Sequence, residues 1–526
     1  MSEETNWEES PETGAHPVAV IDIGATSIRM AIAELHPTGE GRILESLSQA
    51  VSLGKDSFIK GRLERSTIED CVRVLQIYCL KLEEYQIHRR EDIRVVATSA
   101  VREATNRLAF LDRIYVATGL EVEPFDEAQL HRVTYLAIEP HLQRVPALTE
   151  NPVVVCELGG GSTEVLGLQQ EAIQFSRTYR MGSLRLRRTL EAFNAPAVRF
   201  RDIMEREIDK TAYKIEQELG AKENVELVVM GGDVRFLASK LKPTHDLENP
   251  IEISLPEIEP FLGELAELSV DAVARKHHLS LPEAESLVPA LLAYVHIAKA
   301  LKVNRIWVAT ATLREGLLRE MSQSRQRTTA FTNQIVQSAQ DLGRHFYFDE
   351  AHARQVAEIS SGLFEQLKSE HKLDNRYKII LYLGSLLHEV GLSIGQRGFH
   401  KHSMYIIRNS EIFGISKREL LLIALVARYH RRASPSPLHE VYGDLGREER
   451  VAVSKMAALL RIAKALEDSR SQRIHTFNCE ILPDVVVIHV PGVEDLALEK
   501  IALKQQRNLF EEIYGKRVLL RSQRVQ

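Results

Sequence analysis

The stretch Val18–Leu35 has the sequence VAVIDIGATSIRMAIAEL and decides the fold. Two apolar runs rich in β-branched residues enclose the short segment Asp22–Ser27, which contains Gly24 and two hydroxyl residues. Runs of this kind predict β-strands, and a glycine between them predicts a tight turn. The stretch therefore predicts strand, turn and strand, with backbone N–H groups and hydroxyl groups presented at the turn.

A second stretch repeats this plan. Val153–Leu168 has the sequence VVVCELGGGSTEVLGL, in which an acidic residue, a glycine turn and hydroxyl residues again stand between apolar strands. Leu227–Met230 and Arg305–Ala309 are further candidates for buried strands, and helical patterns such as Ser66–Tyr85 fill the intervals. The repetition indicates a weak internal duplication, so we predict an α/β fold with two related lobes.

Length and composition bound the class of protein. The chain has 526 residues, of which 44% are hydrophobic and 27% charged, and this length predicts about three or four globular domains. Its 67 basic and 73 acidic residues give a net charge of −6, which argues against a general nucleic-acid coat and leaves room for a local basic groove. Four cysteines without CxxC spacing predict neither a disulfide scaffold nor a zinc site.

The N-terminal segment 1–16 is acidic and polar, without the basic and apolar regions of a signal peptide. No apolar run approaches the roughly 18 residues of a membrane span. We therefore expect a disordered tail at residues 1–16 and a cytoplasmic protein with neither membrane nor nucleic-acid partners.

Both glycine turns are candidate phosphate sites. Glycine at a strand end lets backbone N–H groups approach an anion, and hydroxyl groups add hydrogen-bond donors. Two such loops facing each other would clamp a polyphosphate chain, while Asp22 and Glu157 hold Mg²⁺ or orient water. The alternative is a pair of tight turns that need glycine for a positive φ angle. That alternative is weakest at Gly159–Gly161, because three consecutive glycines cost much chain entropy.

Six short motifs follow one another along the chain. They are Asp22–Ser27, Ala97–Asn106, Glu127–Leu130, Glu157–Glu164, Met181–Leu186 and Leu313–Gly316. In this order they resemble the exopolyphosphatase / guanosine-pentaphosphate phosphohydrolase family of the actin-like ATPase superfamily. The resemblance covers nearly the whole chain and implies a homodimer. It implies two actin-like (ribonuclease H-like) α/β lobes at residues 17–140 and 141–320, an all-helical HD-like domain at 328–471 and a small α/β tail at 472–526.

The resemblance places the catalytic glutamate of the family on Glu127, where a carboxylate would activate water for attack on a terminal phosphoryl group. Without the resemblance, Glu127 would be a solvated residue at a helix start, and the adjacent Asp126 is the alternative base. Arg102 matches the phosphate-binding arginine, whose guanidinium neutralises charge in a loose phosphoryl-transfer transition state. The implied catalytic set is Glu127, Arg102 and Asp22.

The resemblance also implies a metal set and a phosphate-binding set. Glu157 and Glu164 match the metal-site carboxylates and would hold Mg²⁺ or another divalent cation, since both flank one glycine turn. A third glycine turn follows the strand Leu227–Met230, near where actin-like proteins hold a nucleoside. The phosphate-binding set is Gly24, Ala25, Thr26, Ser27, Ser99, Gly159, Gly160, Gly161, Ser162, Thr163, Gly231 and Gly232.

Two residues depart from the family pattern at these loops. Ala25 replaces a serine and loses one hydroxyl donor. Glu157 replaces an aspartate and moves the carboxylate outward by one methylene. A displacement of the metal by about an ångström can cost roughly 10²-fold in rate.

After about Thr328 the pattern changes to amphipathic helices rich in histidine. His352, His388-Glu389 and His430 are arranged as in an HD-type phosphohydrolase domain, which holds metal with His, His-Asp and a later Asp. Lys464 takes the place of the later aspartate and opposes divalent metal, so we expect a degenerate HD site. We expect the basic face of this region to guide a polyanion: Lys401, Arg408, Arg428, Arg431 and Arg432. The alternative is that several of these histidines fill helix contacts and caps.

The resemblance implies release of terminal phosphate by Mg²⁺-assisted water attack, from inorganic polyphosphate first and guanosine pentaphosphate second. An actin-like sugar kinase is one alternative, because Asp22–Arg29 also resembles kinase openings, although the motifs at Thr98–Asn106 and Leu313–Gly316 argue against it. The other is a non-catalytic polyphosphate or alarmone sensor that has lost its chemistry through Ala25, Glu157 and Lys464.

Overall fold

The computed structural model describes residues 15–523, apart from residues 37–40, 171, 193–199, 221, 245–248, 324–328 and 432. The chain divides into two compact units, Met1–Thr329 and Ala330–Gln526. Nearly all of the predicted disordered tail lies outside the described residues, and His16 already opens the first strand. No helix in the described part of the chain has the length and apolar character that a membrane crossing requires.

The first unit contains two mixed sheets with helices around them. Its strands are β1 (His16–Ile23), β2 (Ser27–Leu35), β3 (Gly41–Ala50), β4 (Ile93–Ala97), β5 (Val122–Pro124), β6 (Val153–Leu158), β7 (Thr163–Gln169), β8 (Ala172–Tyr179), β9 (Glu226–Met230), β10 (Ile251–Ser254) and β11 (Arg305–Val308). Its helices are α1 (Leu53–Lys60), α2 (Arg65–Glu84), α3 (Ser99–Glu103), α4 (Arg107–Thr118), α5 (Glu127–Leu142), α6 (Pro146–Glu150), α7 (Ser183–Ala192), α8 (Phe200–Leu219), α9 (Gly232–Leu241), α10 (Leu255–Ala266), α11 (Val270–His277), α12 (Leu281–Ala300) and α13 (Leu313–Gln323), with a 3₁₀ turn at Arg90–Asp92.

The two sheets share one plan. The first has the strand order β3-β2-β1-β4-β5, and the second has the order β8-β7-β6-β9-β11-β10. In each, three antiparallel strands come first, β1–β3 or β6–β8, and the leading strand pairs in parallel with the strand that follows these three, β4 or β9. The predicted internal duplication is therefore present in the topology, and the second sheet carries β10 as an added edge strand.

The central strands are buried on both sides, which explains their continuous apolar sequence. Every residue of β1 from Val18 to Ile23 is buried. Because alternate side chains point to opposite faces, Ala19 and Ile21 join one core cluster and Val18 and Val20 join another. The strand is thus fixed between two packed layers, and its end holds the turn at Gly24 rigidly.

One close helix contact positions α5. A Cβ at Gly316 of α13 would lie 2.2 Å from the carbonyl oxygen of Val133, a distance that no side chain can occupy. Glycine at this position therefore lets α13 pack directly against the α5 backbone. Glu315 and Thr312 cap the start of α13 by exchanging hydrogen bonds of 3.2 and 3.3 Å.

The second unit is helical, with a small sheet near its end. Its helices are α14 (Thr329–His345), α15 (Glu350–Gln366), α16 (Lys368–His371), α17 (Arg376–Leu386), α18 (Phe399–Arg408), α19 (Lys417–Arg428), α20 (Arg447–Leu466), α21 (Ala497–Gln506) and α22 (Asn508–Tyr514), with a 3₁₀ turn at Val390–Ser393. Its strands are β12 (Asn478–Ile481), β13 (Val485–Pro491) and β14 (Arg517–Gln523), in the order β12-β13-β14.

The predicted fold class, two related α/β lobes followed by a helical region and a small α/β tail, is confirmed. Two details of the tail differ. The pattern from Leu496 to Tyr514 predicts one helix, whereas the structure has two helices that meet at Arg507. Only the apolar strand β13 was predicted there, because its edge partners β12 and β14 mix exposed polar residues with apolar ones and so lack a continuous apolar run.

Candidate active site

A cavity of about 230 Å³ lies in the first unit, where the glycine turns of both lobes meet. Both sheets contribute to its wall, as the predicted duplication requires. The predicted residues that line it are Asp22, Gly24, Ala25, Thr26, Ser99, Glu157, Gly159, Gly160, Ser162, Glu164, Gly231 and Gly232. Residues distant in sequence, on two separate hairpins, thus form one site.

The two glycine turns have the same internal geometry. Gly24 N donates a hydrogen bond of 2.9 Å to Ser27 O, and Gly159 N donates one of 2.9 Å to Ser162 O. The turns also touch each other, since a Cβ at Gly160 would lie 3.1 Å from the Cβ of Ala25. Small residues at both positions therefore let the two loops come into van der Waals contact.

Strand register places charged side chains at equivalent positions beside each turn. Asp22 of β1 pairs with Arg29 of β2, and Glu157 of β6 pairs with Glu164 of β7. In both hairpins the first residue precedes the turn glycine by two positions and the second follows it by five. The first hairpin therefore places a carboxylate beside a guanidinium group, whereas the second places two carboxylates side by side.

Glu164 is buried, and both of its carboxylate oxygens have hydrogen-bond partners. Ser162 Oγ donates to its Oε1 at 2.7 Å, Thr178 Oγ1 donates to its Oε2, and His131 Nε2 lies 3.2 Å from Oε2. Burial acts to raise the pKa of Glu164, but His131 and the two hydroxyl donors overcome it and lower that pKa. Glu164 is therefore ionised at neutral pH.

Glu157 has the opposite shift. Burial and the negative charges of Glu164 and Asp22 raise the pKa of Glu157 to about 7, although Thr134 donates a hydrogen bond of 3.2 Å to its Oε2. Two carboxylates that raise the pKa of a third must lie close to it. This crowding of negative charge is what a divalent cation relieves.

Asp22 is also buried, and its surroundings leave one oxygen available. Its Oδ2 lies 3.9 Å from Nη1 of Arg29 and 4.0 Å from Nη1 of Arg314. Burial raises the pKa of Asp22, and the two guanidinium groups oppose that rise. Among the described residues, none donates a hydrogen bond to Oδ1 of Asp22. Together with Glu157, this oxygen forms a donor set that fits Mg²⁺, a hard cation that prefers carboxylate oxygens.

The third glycine turn closes the cavity on another side. Gly231 has a φ of +129°, which favours glycine. The buried Tyr294 fixes this turn against the second one, because its hydroxyl donates to Met230 O at 2.5 Å and accepts from Leu158 N at 2.9 Å. Asp233, one residue beyond the turn glycines, also lines the cavity, and burial raises its pKa to about 6.

Three arginines that the sequence did not assign to the site line the cavity as well: Arg29, Arg235 and Arg314. Burial and the like charges of Arg29 and Arg314 lower the pKa of Arg235. Guanidinium groups that crowd together in this way are stabilised by a bound polyanion. Arg29 and Arg314 stand inside quoted motifs, so proximity to those motifs was the signal that could have identified them.

Three predicted phosphate-binding residues, Ser27, Gly161 and Thr163, are not among those that line the cavity. Ser27 is buried at the start of β2. Gly161 packs against Phe58, since a Cβ there would lie 2.2 Å from the ring. Thr163 Oγ1 donates to Met181 O. These residues support the shape of the loops.

Arg185 is a support that the sequence analysis missed, although it stands in the motif Met181–Leu186. Its Nε donates to Gly161 O at 2.6 Å, and its Nη2 donates to Glu103 Oε1 at 2.6 Å. The guanidinium carbon also lies 4.3 Å from the centre of the Phe58 ring. Arg185 therefore ties the second glycine loop to the first lobe.

Glu127 and Arg102 are not among the residues that line the cavity. Glu127 is the first residue of α5, and Asp126 is the N-cap, accepting a hydrogen bond of 2.9 Å from Gln129 N. Arg102 donates from Nη1 to Phe125 O at 3.1 Å, which ties it to the segment before Glu127. The two residues thus belong to one corner of the first lobe.

Helix α5 links that corner to the carboxylates. His131 and Thr134, which bond Glu164 and Glu157, follow Glu127 by four and seven residues. Residues at these spacings share one face of an α-helix. Glu127 therefore begins the helix face that carries the carboxylate partners.

The residues of the predicted degenerate HD site lie together in the second unit. Ligand atoms of His352, His388 and Glu389 are all within 4.8 Å of one another, and the ring centre of His430 is 5.0 Å from that of His388. Lys401 and Arg408 are exposed on α18, whereas Arg428 and Arg431 are half-buried at and beyond the end of α19. Arg432 lies outside the described residues, and the polyanion path stays a prediction.

Comparison with protein families identifies two matching models. The model described as Ppx/GppA phosphatase family matches residues 31–325. The model described as Ppx/GppA phosphatase, domain III, matches residues 336–512. The first match begins inside β2, after the turn at Gly24, and runs almost to the end of the first unit, while the second covers most of the second unit.

Two curated proteins and one solved structure are similar to this chain over most of their own length. The chain is 24% identical over 488 residues to the guanosine-5'-triphosphate,3'-diphosphate pyrophosphatase of Aeromonas hydrophila subsp. hydrophila, covering 90% of this chain and 92% of that one. It is 22% identical over 470 residues to the protein of the same name from Pseudoalteromonas atlantica, covering 87% of each. The crystal structure of an exopolyphosphatase from Cytophaga hutchinsonii has a similar fold, with a TM-score of 0.53 and 21% identity over 59% of this chain and 98% of that chain.

Proposed function

The chain belongs to the Ppx/GppA phosphatase family, and on that premise we propose that it releases the terminal phosphate from inorganic polyphosphate or guanosine pentaphosphate. One observation carries the proposal: two glycine turns of equal geometry meet at a cavity that five carboxylates and three arginines line. Backbone N–H groups and guanidinium groups bind phosphate oxygens, and the carboxylates suit a divalent cation.

The phosphate chain lies between the loops at Gly24 and Gly159–Gly161. Their N–H groups hold its oxygens, and Arg29, Arg235 and Arg314 neutralise its charge. Since these groups are fixed by buried strands and by Tyr294, they are oriented before substrate binds. Such preorganisation is the main protein contribution to phosphoryl transfer.

Glu127 accepts the proton of the attacking water as the water oxygen bonds to the terminal phosphorus. The bridging P–O bond to the rest of the chain breaks at the same phosphorus, so orthophosphate is released and the shortened chain leaves with the charge on its new terminal oxygen. The position of Glu127 at the start of the α5 face that holds Glu157 and Glu164 supports this role. Arg102, tied to the same corner through Phe125, assists by binding an oxygen of the terminal phosphate.

Asp22 and Glu157 offer oxygens to a divalent cation, which we propose is Mg²⁺. Glu164 keeps its charge through Ser162, Thr178 and His131 and completes the negative site. When bound, the cation offsets charge on the leaving phosphate. The residues themselves orient the phosphate chain and hold the attacking water at Glu127.

The names of the two curated relatives support guanosine pentaphosphate as a substrate, and the solved exopolyphosphatase supports inorganic polyphosphate. Both substrates end in a phosphoanhydride, so the same chemistry serves them. We further expect a homodimer, which rests on the family resemblance. A cytoplasmic location is expected from the few cysteines and their lack of CxxC spacing.

Replacing the proposed base tests this function. Glu127→Gln should abolish phosphate release while leaving polyphosphate binding within a few-fold of the wild type, because the loops and arginines are unchanged. Asp126→Asn is the matched control, since asparagine also caps a helix and should retain turnover. Steady-state phosphate release and equilibrium binding would be measured on the same preparations. Turnover retained in Glu127→Gln would remove this residue from the mechanism.

A further inference from the structure

The second unit contains a buried cluster of imidazoles that the proposed phosphatase site does not use. His352 lies in α15, His388 and Glu389 follow α17, and His430 follows α19. The three histidines are 2%, 0% and 0% exposed. Such complete burial of three polar rings next to one another requires partners for their nitrogen atoms.

Hydrogen bonds to the backbone fix the tautomer of two of these rings. Nδ1 of His388 lies 2.6 Å from Ser385 O, and Nδ1 of His430 lies 2.5 Å from Ala427 O. A carbonyl oxygen only accepts hydrogen bonds, so Nδ1 carries the proton in both rings. The Nε2 atom of each ring therefore presents a lone pair, which is the arrangement that prepares a histidine to ligate metal.

Among the residues that the structure describes, none donates a hydrogen bond to these lone pairs. Within the described parts of the chain, no residue forms a hydrogen bond with Nε2 of His388, with Nε2 of His430 or with either ring nitrogen of His352. Burial lowers the pKa of His352 to about 4 and lowers the pKa of the other two as well. The unpaired nitrogens of these three buried rings are the observation that points to a bound ion.

The spacing of the ligand atoms suits one metal ion. Nε2 of His388 is 3.7 Å from Oε1 of Glu389, and Nε2 of His352 is 3.9 Å from Oε2 of the same carboxylate. Ligands about 2.1 Å from a tetrahedral metal lie roughly 3.4 Å apart, so small side-chain movements close the site. The ring of His430 stands 5.0 Å from that of His388 and supplies a neighbouring nitrogen.

Charged neighbours set the strength of the site. Arg470 donates to Oε2 of Glu389 at 2.6 Å and to Oδ2 of Asp349 at 2.9 Å, which leaves Oε1 of Glu389 directed toward His388. The charge of Lys464 faces His388 and His430 and acts against a bound cation. Nitrogen ligands outnumber the single carboxylate, a composition that selects a transition metal over Mg²⁺.

We propose that His352, His388 and Glu389, with His430 beside them, bind one divalent first-row transition-metal ion such as Zn²⁺. Lys464 and the glutamate at position 389, where an aspartate is expected, are the two features that favour a degenerate site. The unpaired nitrogens of the three buried rings favour a bound ion instead. The site is separate from the phosphate cavity and does not depend on the proposed hydrolysis. It takes an ion of the borderline class that imidazole prefers.

Cobalt is a suitable probe because Co²⁺ bound by imidazole and carboxylate ligands gives visible absorption bands. The full-length protein, freed of metal by chelation, would be titrated with Co²⁺ in the presence of excess Mg²⁺. We expect one equivalent to bind with saturating absorption and Zn²⁺ to displace it. Absence of these bands in the wild type would overturn the proposal.

Variants locate the ion. His388→Gln should weaken Co²⁺ binding by ten- to a hundredfold, whereas His475→Gln, at an exposed histidine of the same unit, should leave it unchanged. Circular dichroism would verify that His388→Gln is folded. Lys464→Met provides an independent test, because removing the facing cation should tighten binding several-fold. Glu164→Gln should leave the bands intact; their loss in Glu164→Gln, or their persistence in His388→Gln, would place the ion elsewhere.

Discussion

Glu157 and Glu164 face each other across β6 and β7, yet their pKa values move in opposite directions. The difference arises from their partners. Glu164 accepts hydrogen bonds from Ser162 and Thr178 and lies beside His131, whereas Glu157 receives one hydroxyl bond from Thr134. One carboxylate is thus held ionised, and the other changes its charge near neutral pH.

This difference predicts the pH dependence of metal binding. A carboxylate must be ionised to ligate Mg²⁺, and the pKa of Glu157 is about 7. Mg²⁺ affinity of the substrate-free protein should therefore fall by up to about tenfold for each pH unit below 7. Calorimetric titration with Mg²⁺ between about pH 6 and pH 8 measures this affinity. An affinity that is constant over this range would show that Glu157 does not hold the cation.

The same shift predicts a pH-dependent effect on stability. The pKa of Glu157 rises from 4.5 when unperturbed to about 7 in the folded protein, so its contribution to stability is present below pH 4.5 and is lost as the pH rises through 7. In the metal-free protein, Glu157→Gln should raise the free energy of unfolding near pH 8 by on the order of 1 to 3 kcal/mol. Near pH 5 it should have little effect. Urea unfolding of both proteins at both pH values measures these free energies. If Glu157→Gln changed the free energy of unfolding equally at the two pH values, the raised pKa of Glu157 would be contradicted.

Arg314 supplies a test of the arginine cluster. It lines the cavity and lies 4.0 Å from Asp22. Arg314→Gln should raise KM for polyphosphate roughly tenfold, since a charge-assisted hydrogen bond contributes about 1.5–3 kcal/mol. Arg206→Gln, on the exposed side of α8, is the matched control and should leave KM unchanged. Equal KM values in the two variants would exclude Arg314 from substrate binding.

At the scale of elements, α5 is the part of the first lobe that connects catalysis to packing. Thr134 and His131 bond the two glutamates of the second lobe, and Val133 between them touches Gly316 of α13. The position of α5 therefore depends on a glycine that no side chain can replace.

Gly316→Ala should displace this helix. Its added Cβ would lie 2.2 Å from Val133 O, so the variant should lose at least about 1–3 kcal/mol of stability and much of its activity. Gly263→Ala in α10 is the matched control, because nothing lies within 4 Å of its added Cβ and alanine favours helix. Thermal unfolding and phosphate release would be compared in both. A neutral Gly316→Ala variant would show that α5 does not depend on this contact.

The hairpins and their glycine turns were predictable from sequence because local patterns determine them. Apolar β-branched runs around Gly24 and Gly159 predict strand, turn and strand without any tertiary information. The arginine cluster was not predictable in this way. Arg235 lies far in sequence from Arg29 and Arg314, and only the paired sheets bring the three to one cavity.

The roles of some individual motif residues could not be predicted from the sequence either. Asp126 and Glu127 are adjacent acids at a helix start, and only the observed bond to Gln129 identifies Asp126 as the cap. Gly161 and Thr163 belong to a phosphate-loop pattern, yet neither lines the cavity: Gly161 packs against Phe58, and Thr163 donates a hydrogen bond to Met181 O. Sequence spacing alone does not distinguish these orientations.

At the scale of the molecule, the two units carry different kinds of sites. The first contains hard oxygen donors beside phosphate-binding groups, whereas the second contains buried imidazoles. The net charge of −6 therefore conceals local concentrations of positive charge, including the arginines of the cavity. Part of the acidic excess consists of the carboxylates that line the same cavity.

Separate cores predict separate unfolding. Each unit has its own buried apolar cluster, so calorimetry of the full chain should resolve two transitions. Mg²⁺ with a non-hydrolysable polyphosphate analogue should raise the midpoint of one transition, because ligand binds only the folded unit that holds the cavity. A single transition that shifts as a whole would show that the units unfold together.

Phosphate release by the full chain tests the central claim most directly. Inorganic polyphosphate and guanosine pentaphosphate would be supplied side by side, with and without Mg²⁺, and orthophosphate would be measured over time. The structure predicts that at least one of the two substrates releases orthophosphate. This release should require the divalent cation and should be lost in Glu157→Gln. Tight binding of both substrates without release, and without rescue by Glu157→Asp, would contradict it and identify a sensor in place of a phosphatase.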